Sequence, residues 1–170
     1  LIVGPWAHTS PGLTGLSLRE GIGWMRSHLL GHRRLSSEAP VRIYVTGARH
    51  WLELDDWPPR GATQQRLYLQ PRGHLAAEPP GGDADPSRYR YDPKDPTPAL
   101  GGPLLLERRP VSDNRPLEAR DDVLTFTGEP LAEPLEASGP VAAAIHIRSR
   151  RDDTDLFVRV CDVDAEGVSR

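Results

Sequence analysis

The chain has 170 residues, enough for one good core, or for a domain together with a piece of another. Its net charge of −3 lacks the strong basic excess that marks a nucleic-acid partner. With a mean hydropathy of −0.51, no apolar run approaches the roughly 20 residues a membrane-spanning helix needs.

One cysteine forbids an internal disulfide and leaves the redox compartment unconstrained. The 18 prolines are about twice ordinary usage, which suits short segments joined by turns. Leu1-Ile2-Val3 is the kind of apolar run that makes a buried strand. It starts with nothing before it, which reads as the cut end of a longer protein. Gly4 and Pro5 stop it, since proline lacks the ladder donor and glycine takes conformations other residues avoid. His8 follows on a loop, Thr9-Ser10-Pro11-Gly12. A rigid strand that aims an imidazole and a loop that exposes it suit a catalytic base, although a surface histidine has the same local pattern.

Ser17 and Glu20 have capping-box spacing, so a helix is expected from Ser17. Leu18, Ile22, Met25 and Leu29 recur at helical spacing, and Gly31 fits the position just past the end. Gly21 and Gly23 weaken this helix by roughly 1 kcal/mol each relative to alanine, so packing against a sheet must support it. Trp24 and Met25 are expected to fill core. Val41 to Thr46 alternates and is β-branched, a strand introduced by Pro40. Strand, loop, helix and strand form the closing unit of an α/β fold. Residues 47–59, with Trp51, Trp57 and a double proline, read as a semi-rigid crossing to a boundary near residue 62.

Beyond it the pattern turns to β, with strands expected at 65–69, 104–106, 123–126, 141–147 and 156–163. Residues 71–103 are rich in proline and glycine and too long for an ordinary turn. Short strands at this spacing predict a sandwich or jelly roll.

Several constellations have a bland reading beside the sharp one. His28 and His32 are four apart, but Leu29-Leu30-Gly31 between them lacks the glutamate of a zinc-protease helix, and Gly31 is expected to end the helix. No metal is expected there. Asp162, Asp164 and Glu166 with Gly167 imitate the opening of a calcium loop, yet the preceding residues read as a strand, which favours an acidic turn. Asp152, Asp153 and Asp155 read as solvated turn acids, and Cys161 as a buried small residue in a strand. The most informative constellation is a missing one. No serine has the G-x-S-x-G setting that exposes an α/β-hydrolase nucleophile; Gly15-Leu16-Ser17-Leu18-Arg19 fails at its last position.

Gly4-Pro5-Trp6-Ala7-His8 resembles the G-P-W-x-H segment around the catalytic histidine of the cocaine-esterase-like (CocE/NonD) serine hydrolases, relatives of the X-Pro dipeptidyl-peptidases. Trp24 with His28-Leu29-Leu30-Gly31 resembles the family's W…HLxG helix. Pro40 to Gly47 (PVRIYVTG) is similar to its P-V-R-I-F-V-M-G strand. Trp51 through Pro58 is similar to its passage out of the catalytic domain. Tyr91 to Pro96 with Gly101-Gly102, Arg120 to Thr127, Pro130-Leu131, Gly139 to Val141 and Asp153 to Phe157 resemble its C-terminal non-catalytic domain. Ala7 holds the pattern's variable position, and 71–103 matches less closely.

The resemblance implies a mainly β chain. Residues 1–62 would be the closing strand-loop-helix-strand portion of an α/β-hydrolase catalytic domain, and 63–170 a jelly-roll, galactose-binding-like β-sandwich. It implies a cofactor-free serine hydrolase acting on small-molecule acyl esters or peptide-like amides, with His8 as general base. In the triad order Ser, acid, His, the serine and the acid would both precede Leu1. The rival is a non-catalytic β-sandwich binding module for a carbohydrate or protein partner, with residues 1–62 a scaffold.

Overall fold

The apolar opening forms β1 (Ile2–Val3), and the alternating run after Pro40 forms β2 (Val41–Val45). A computed structural model describes residues 1–7, 10–32, 39–101 and 111–170. Chain contacts divide it into two compact units. The first comprises Leu1–Gln64, Ala99–Ser112 and Glu133–Ser138; the second comprises Gln65–Pro98, Asp113–Ala132 and Gly139–Arg170.

In the first unit β1 lies parallel to β2, with Ile2 opposite Arg42 and Val3 opposite Ile43. Parallel strands need a long crossover, supplied here by α1 (Pro11–Leu30). The residues expected as a crossing contain a third strand, β3 (His50–Leu54), antiparallel to β2 over five pairs. Arg49, in the left-handed region at φ 55°, closes the hairpin by donating its N–H to Val45 O (2.7 Å). Val41 is the buried apolar centre of this sheet. Among the described residues β1 lies at the edge of this sheet, and Leu1 and Val3 are exposed.

α1 corrects the expected start at Ser17. Pro11 occupies the first turn, where its fixed φ suits a helix and its missing N–H costs nothing. Ser10 O accepts from the N–H groups of Leu13 (3.0 Å) and Thr14 (3.3 Å), so Ser17 lies inside the helix and caps nothing. At the other end Gly31 takes the expected left-handed conformation, φ 65°. The half-buried face is Leu13, Leu16, Glu20, Gly23 and Ser27, at three- and four-residue spacing. Glu20 Oε1 on that face accepts from Arg42 Nη2 of β2 at 3.2 Å. The expected core stripe of Leu18, Ile22, Met25 and Leu29 therefore points away and is exposed, as is Trp24.

The second unit is built around a hairpin, β4 (Tyr68–Gln70) and β5 (His74–Ala76), joined by one 3-10 turn at Pro71–Gly73. β4 is shifted from the expected 65–69, and β5 falls inside the stretch read as an excursion. Thr127 runs alongside: its N–H donates to Gly73 O (2.8 Å) and its carbonyl accepts from Leu75 N–H (3.0 Å). Gly73 is needed there. Its φ is 77°, and a Cβ would stand 2.9 Å from Thr125 O. A short helix, α2 (Arg115–Glu118), was not expected.

Of the strands expected later, 123–126 contributes only the neighbouring bridge at Thr127, and 104–106 lies outside the described residues. Residues 141–147 and 156–162 form no ladder, and Val163 makes a single bridge to Ser169. Strand propensity acts through ladder partners and a face to pack against. These segments lack both among the described residues, and Phe157 is 96% exposed. The described residues thus hold five strands in two sheets and two α-helices. None of the helices described is long and apolar enough to cross a membrane.

Candidate functional site around the Gly4–Ser10 loop

His8 lies outside the described residues, and so does Thr9. After β1, Trp6 N–H donates to Gly4 O (2.9 Å), folding the chain tightly at Pro5. The Trp6 indole covers Gly4 so closely that a Cβ there would stand 2.3 Å from Cζ3 of the ring. The same indole meets Trp51 of β3, with ring centroids 5.6 Å apart and planes tilted by 41°. Trp51 in turn sits edge-on to Tyr44, its cross-strand partner on β2 (5.4 Å, 68°).

Ala7 and Ser10 are tied by two bonds. Ala7 N–H donates to Ser10 Oγ, and Ser10 N–H donates to Ala7 O, both at 3.0 Å. Ser10 O then starts α1. Its hydroxyl is thus engaged by the backbone. Gly12 keeps the first helical turn open to Trp6: a Cβ there would be 3.1 Å from the indole Nε1. On α1, the Arg19 guanidinium, and after it Arg42, hold the Glu20 carboxyl below its ordinary value.

The other singled-out residues go elsewhere. His28 stacks with Trp24 one turn earlier (4.2 Å), and Gly31 ends α1 between it and His32. Among the described residues no group of three histidine, cysteine or acidic side chains is placed to hold a metal. Asp164 closes a turn instead. Its Oδ1 accepts from the N–H groups of Val168 (2.8 Å) and Glu166 (3.1 Å), and its Oδ2 pairs with Arg170. Those contacts, the Val168 N–H first, lower its carboxyl. Asp152, Asp153 and Asp155 are exposed. Cys161 is half-buried and lies 3.6 Å from Asn114 Nδ2, on a stretch without the expected ladder.

Two groupings were not foreseen. One is the Trp6–Trp51–Tyr44 stack, whose only sequence signal is the aromatic content of the two stretches. The other joins two stretches quoted for the family resemblance. Arg120 donates to Asp122 (Nε to Oδ1, 2.7 Å) and to Asp95 (Nη2 to Oδ2, 3.1 Å, and to the carbonyl, 3.0 Å). The Thr97 hydroxyl donates to Asp122 Oδ2 at 2.6 Å.

Residues 34–170 match the family described as the X-Pro dipeptidyl-peptidase C-terminal non-catalytic domain, and the chain belongs to that family. The relationship to the cocaine-esterase-like hydrolases inferred from the ordered motifs between Gly4 and Phe157 is borne out as well. The chain is similar to the cocaine esterase of Rhodococcus sp. (strain MB1 Bresler), 32% identical over 98% of this chain and 33% of the relative. Among solved structures it is similar to an aminopeptidase of the marine sediment archaeon Thaumarchaeota archaeon, with 32% identity, TM-score 0.56, 74% of this chain and 22% of that one. It is also similar to an α-amino acid ester hydrolase, with 34% identity, TM-score 0.56, 74% of this chain and 23% of that one. The chain spans about a third of the length of the cocaine esterase it matches.

Proposed function

We propose that these 170 residues are part of a serine hydrolase that cleaves small-molecule acyl esters or peptide-like amides without a cofactor. Residues 1–62 would close the α/β-hydrolase catalytic domain and 63–170 would form a jelly-roll, galactose-binding-like sandwich. The observation that carries this reading is the 32% identity to cocaine esterase across 98% of the chain. The parallel β1–α1–β2 crossover supports it, because that unit is how an α/β sheet adds a strand.

In this reading His8 takes the proton of a serine as it attacks the substrate carbonyl, and returns it to the leaving alkoxide or amine. The serine, the acid that orients His8 and the oxyanion-hole donors lie on sequence outside these residues. The match of 34–170 to a non-catalytic domain is the observation in favour of the rival, a binding module. A fluorophosphonate that esterifies activated serines separates the two. The complete protein should carry one label, on a serine within G-x-S-x-G that precedes Leu1. A complete protein that takes up no label and has no such motif would favour the binding module.

A further inference from the structure

We propose that the outer face of α1 is a docking seam for an amphipathic helix with acidic rims, supplied by the complete protein from sequence outside these 170 residues. The source of that helix rests on the reading of the chain as part of a longer hydrolase. Leu18, Ile22, Met25 and Leu29, the stripe expected to fill core, are 51% to 71% exposed. The half-buried face of α1 is the opposite one, and it carries the Glu20 contact to Arg42 of β2. The sheet therefore leaves the stripe without an occupant among the described residues.

The spacing says what kind of partner fits. The four apolar residues follow one another at intervals of four, three and four. That is the narrow seam by which one helix interdigitates with another, here about 16 Å long at a rise of about 1.5 Å per residue. A strand or a lipid surface offers no ridges of that period.

The charges at the rims say which helix. Arg19 and Arg26 line one rim, and Gly21 and His28 the other. Arg19 reaches Glu20 Oε1 at 2.9 Å but stays largely exposed. Glu20 is the only acid of α1, and it lies on the half-buried face. Two copies of α1 side by side would set arginine against arginine when antiparallel, and arginine against histidine when parallel, with no acid to compensate. A second copy is thus a poor occupant, and a helix with Asp or Glu beside its apolar stripe is the complement. The chain spans about a third of the cocaine esterase it matches, so a protein of that length has room for such a helix.

Met25 is the only methionine of the 170 residues, which makes it a native probe of the seam. In the unmodified complete protein, hydrogen peroxide should convert it to the sulfoxide at least about tenfold more slowly than in the urea-unfolded protein, read by peptide mass spectrometry. Oxidation within about twofold of the unfolded rate would show an open face and overturn the proposal. So would protection that appears only on raising the protein concentration, or only on adding phosphatidylserine vesicles, because the occupant would then be a second copy or a membrane.

Arg26→Lys identifies the occupant. It keeps the charge, and a carbodiimide would join the introduced amine to a carboxylate lying against the rim, taking up the released water as a urea. The expected product, missing from wild type, joins position 26 to an Asp or Glu of the same polypeptide outside residues 1–170. A product between isotopically labelled and unlabelled copies, or one that ends within residues 1–170, would overturn the proposal. Protection of Met25 without any such product would contradict the acidic rim. The fluorophosphonate label keeps the two readings apart. A labelled serine together with a freely oxidised Met25 contradicts the seam and leaves the hydrolase standing. A protein without that label, but protected and cross-linked as expected, keeps the seam and loses the hydrolase.

Discussion

Asn114, only 4% exposed, uses both ends of its amide. Its backbone N–H (2.9 Å) and its Nδ2 (3.3 Å) both donate to Ser169 O, and its Oδ1 accepts from the Arg159 guanidinium. Removing the side chain breaks its bonds to Ser169 O and to Arg159 while the backbone N–H keeps Ser169 O satisfied, a loss of about 0.5–1.5 kcal/mol per bond. Asn114→Ala should lower the urea midpoint correspondingly with an unchanged slope, and Asn114→Asp should recover only the Arg159 contact. None of this is visible in the local sequence, because the partners lie 45 to 55 positions away. Gly31 is the opposite case. Its left-handed conformation is required by the end of the helix in which it sits, and was legible from spacing alone.

At the scale of elements, the helix that follows the Gly4–Ser10 loop was legible in existence but not in register. The Ser17–Glu20 pair imitated a capping box, while the real start is set by Pro11 and the backbone of Ser10. Glu20 was not free to reach back to Ser17, because Arg19 and Arg42 hold its carboxylate. The later strands illustrate the other limit: β-branched alternation at 141–147 and 156–163 states a propensity, and a ladder needs a partner that the pattern does not name.

The clasp of Arg120 on Asp95 and Asp122 fastens the 92–97 stretch to the turn before Val123, and it provides its own reporter. Lys94 is the only lysine of the 170 residues, so a lysine-specific protease has one site here, the Lys94–Asp95 bond. Arg120→Ala should speed scission of that bond, followed by mass spectrometry, by about tenfold relative to wild type, as expected if cleavage tracks the open population. Equal rates would show that the clasp does not hold the segment. Its pH dependence has a definite sign. The Arg120 hydrogen bond, then that of Thr97, holds the Asp122 carboxyl at about 2, below its ordinary 3.8. A carboxyl lowered by folding stabilises above its unfolded value, and that stabilisation is lost as pH falls from about 4 towards 2. The difference in urea midpoint between wild type and Arg120→Ala should therefore be full at pH 5 and shrink below pH 4.

For the whole molecule, the family was legible from short motifs in order, two of which the structure accounts for by contacts. Gly4-Pro5-Trp6 is explained by the indole seated on Gly4, and the Tyr91–Pro96 and Arg120–Thr127 stretches by the clasp between them. In the proposed reading the 170 residues would contribute one histidine to the catalytic apparatus, and none of their serines has the G-x-S-x-G setting. Expressed alone, they should not hydrolyse p-nitrophenyl esters above the background rate, whereas the complete protein should. The central claim, that His8 is the general base of a serine hydrolase, is tested most directly by kcat of His8→Ala in the complete protein. Turnover reduced by roughly 10⁴-fold or more, with the variant folded, is the expected result. Turnover near that of wild type would contradict it.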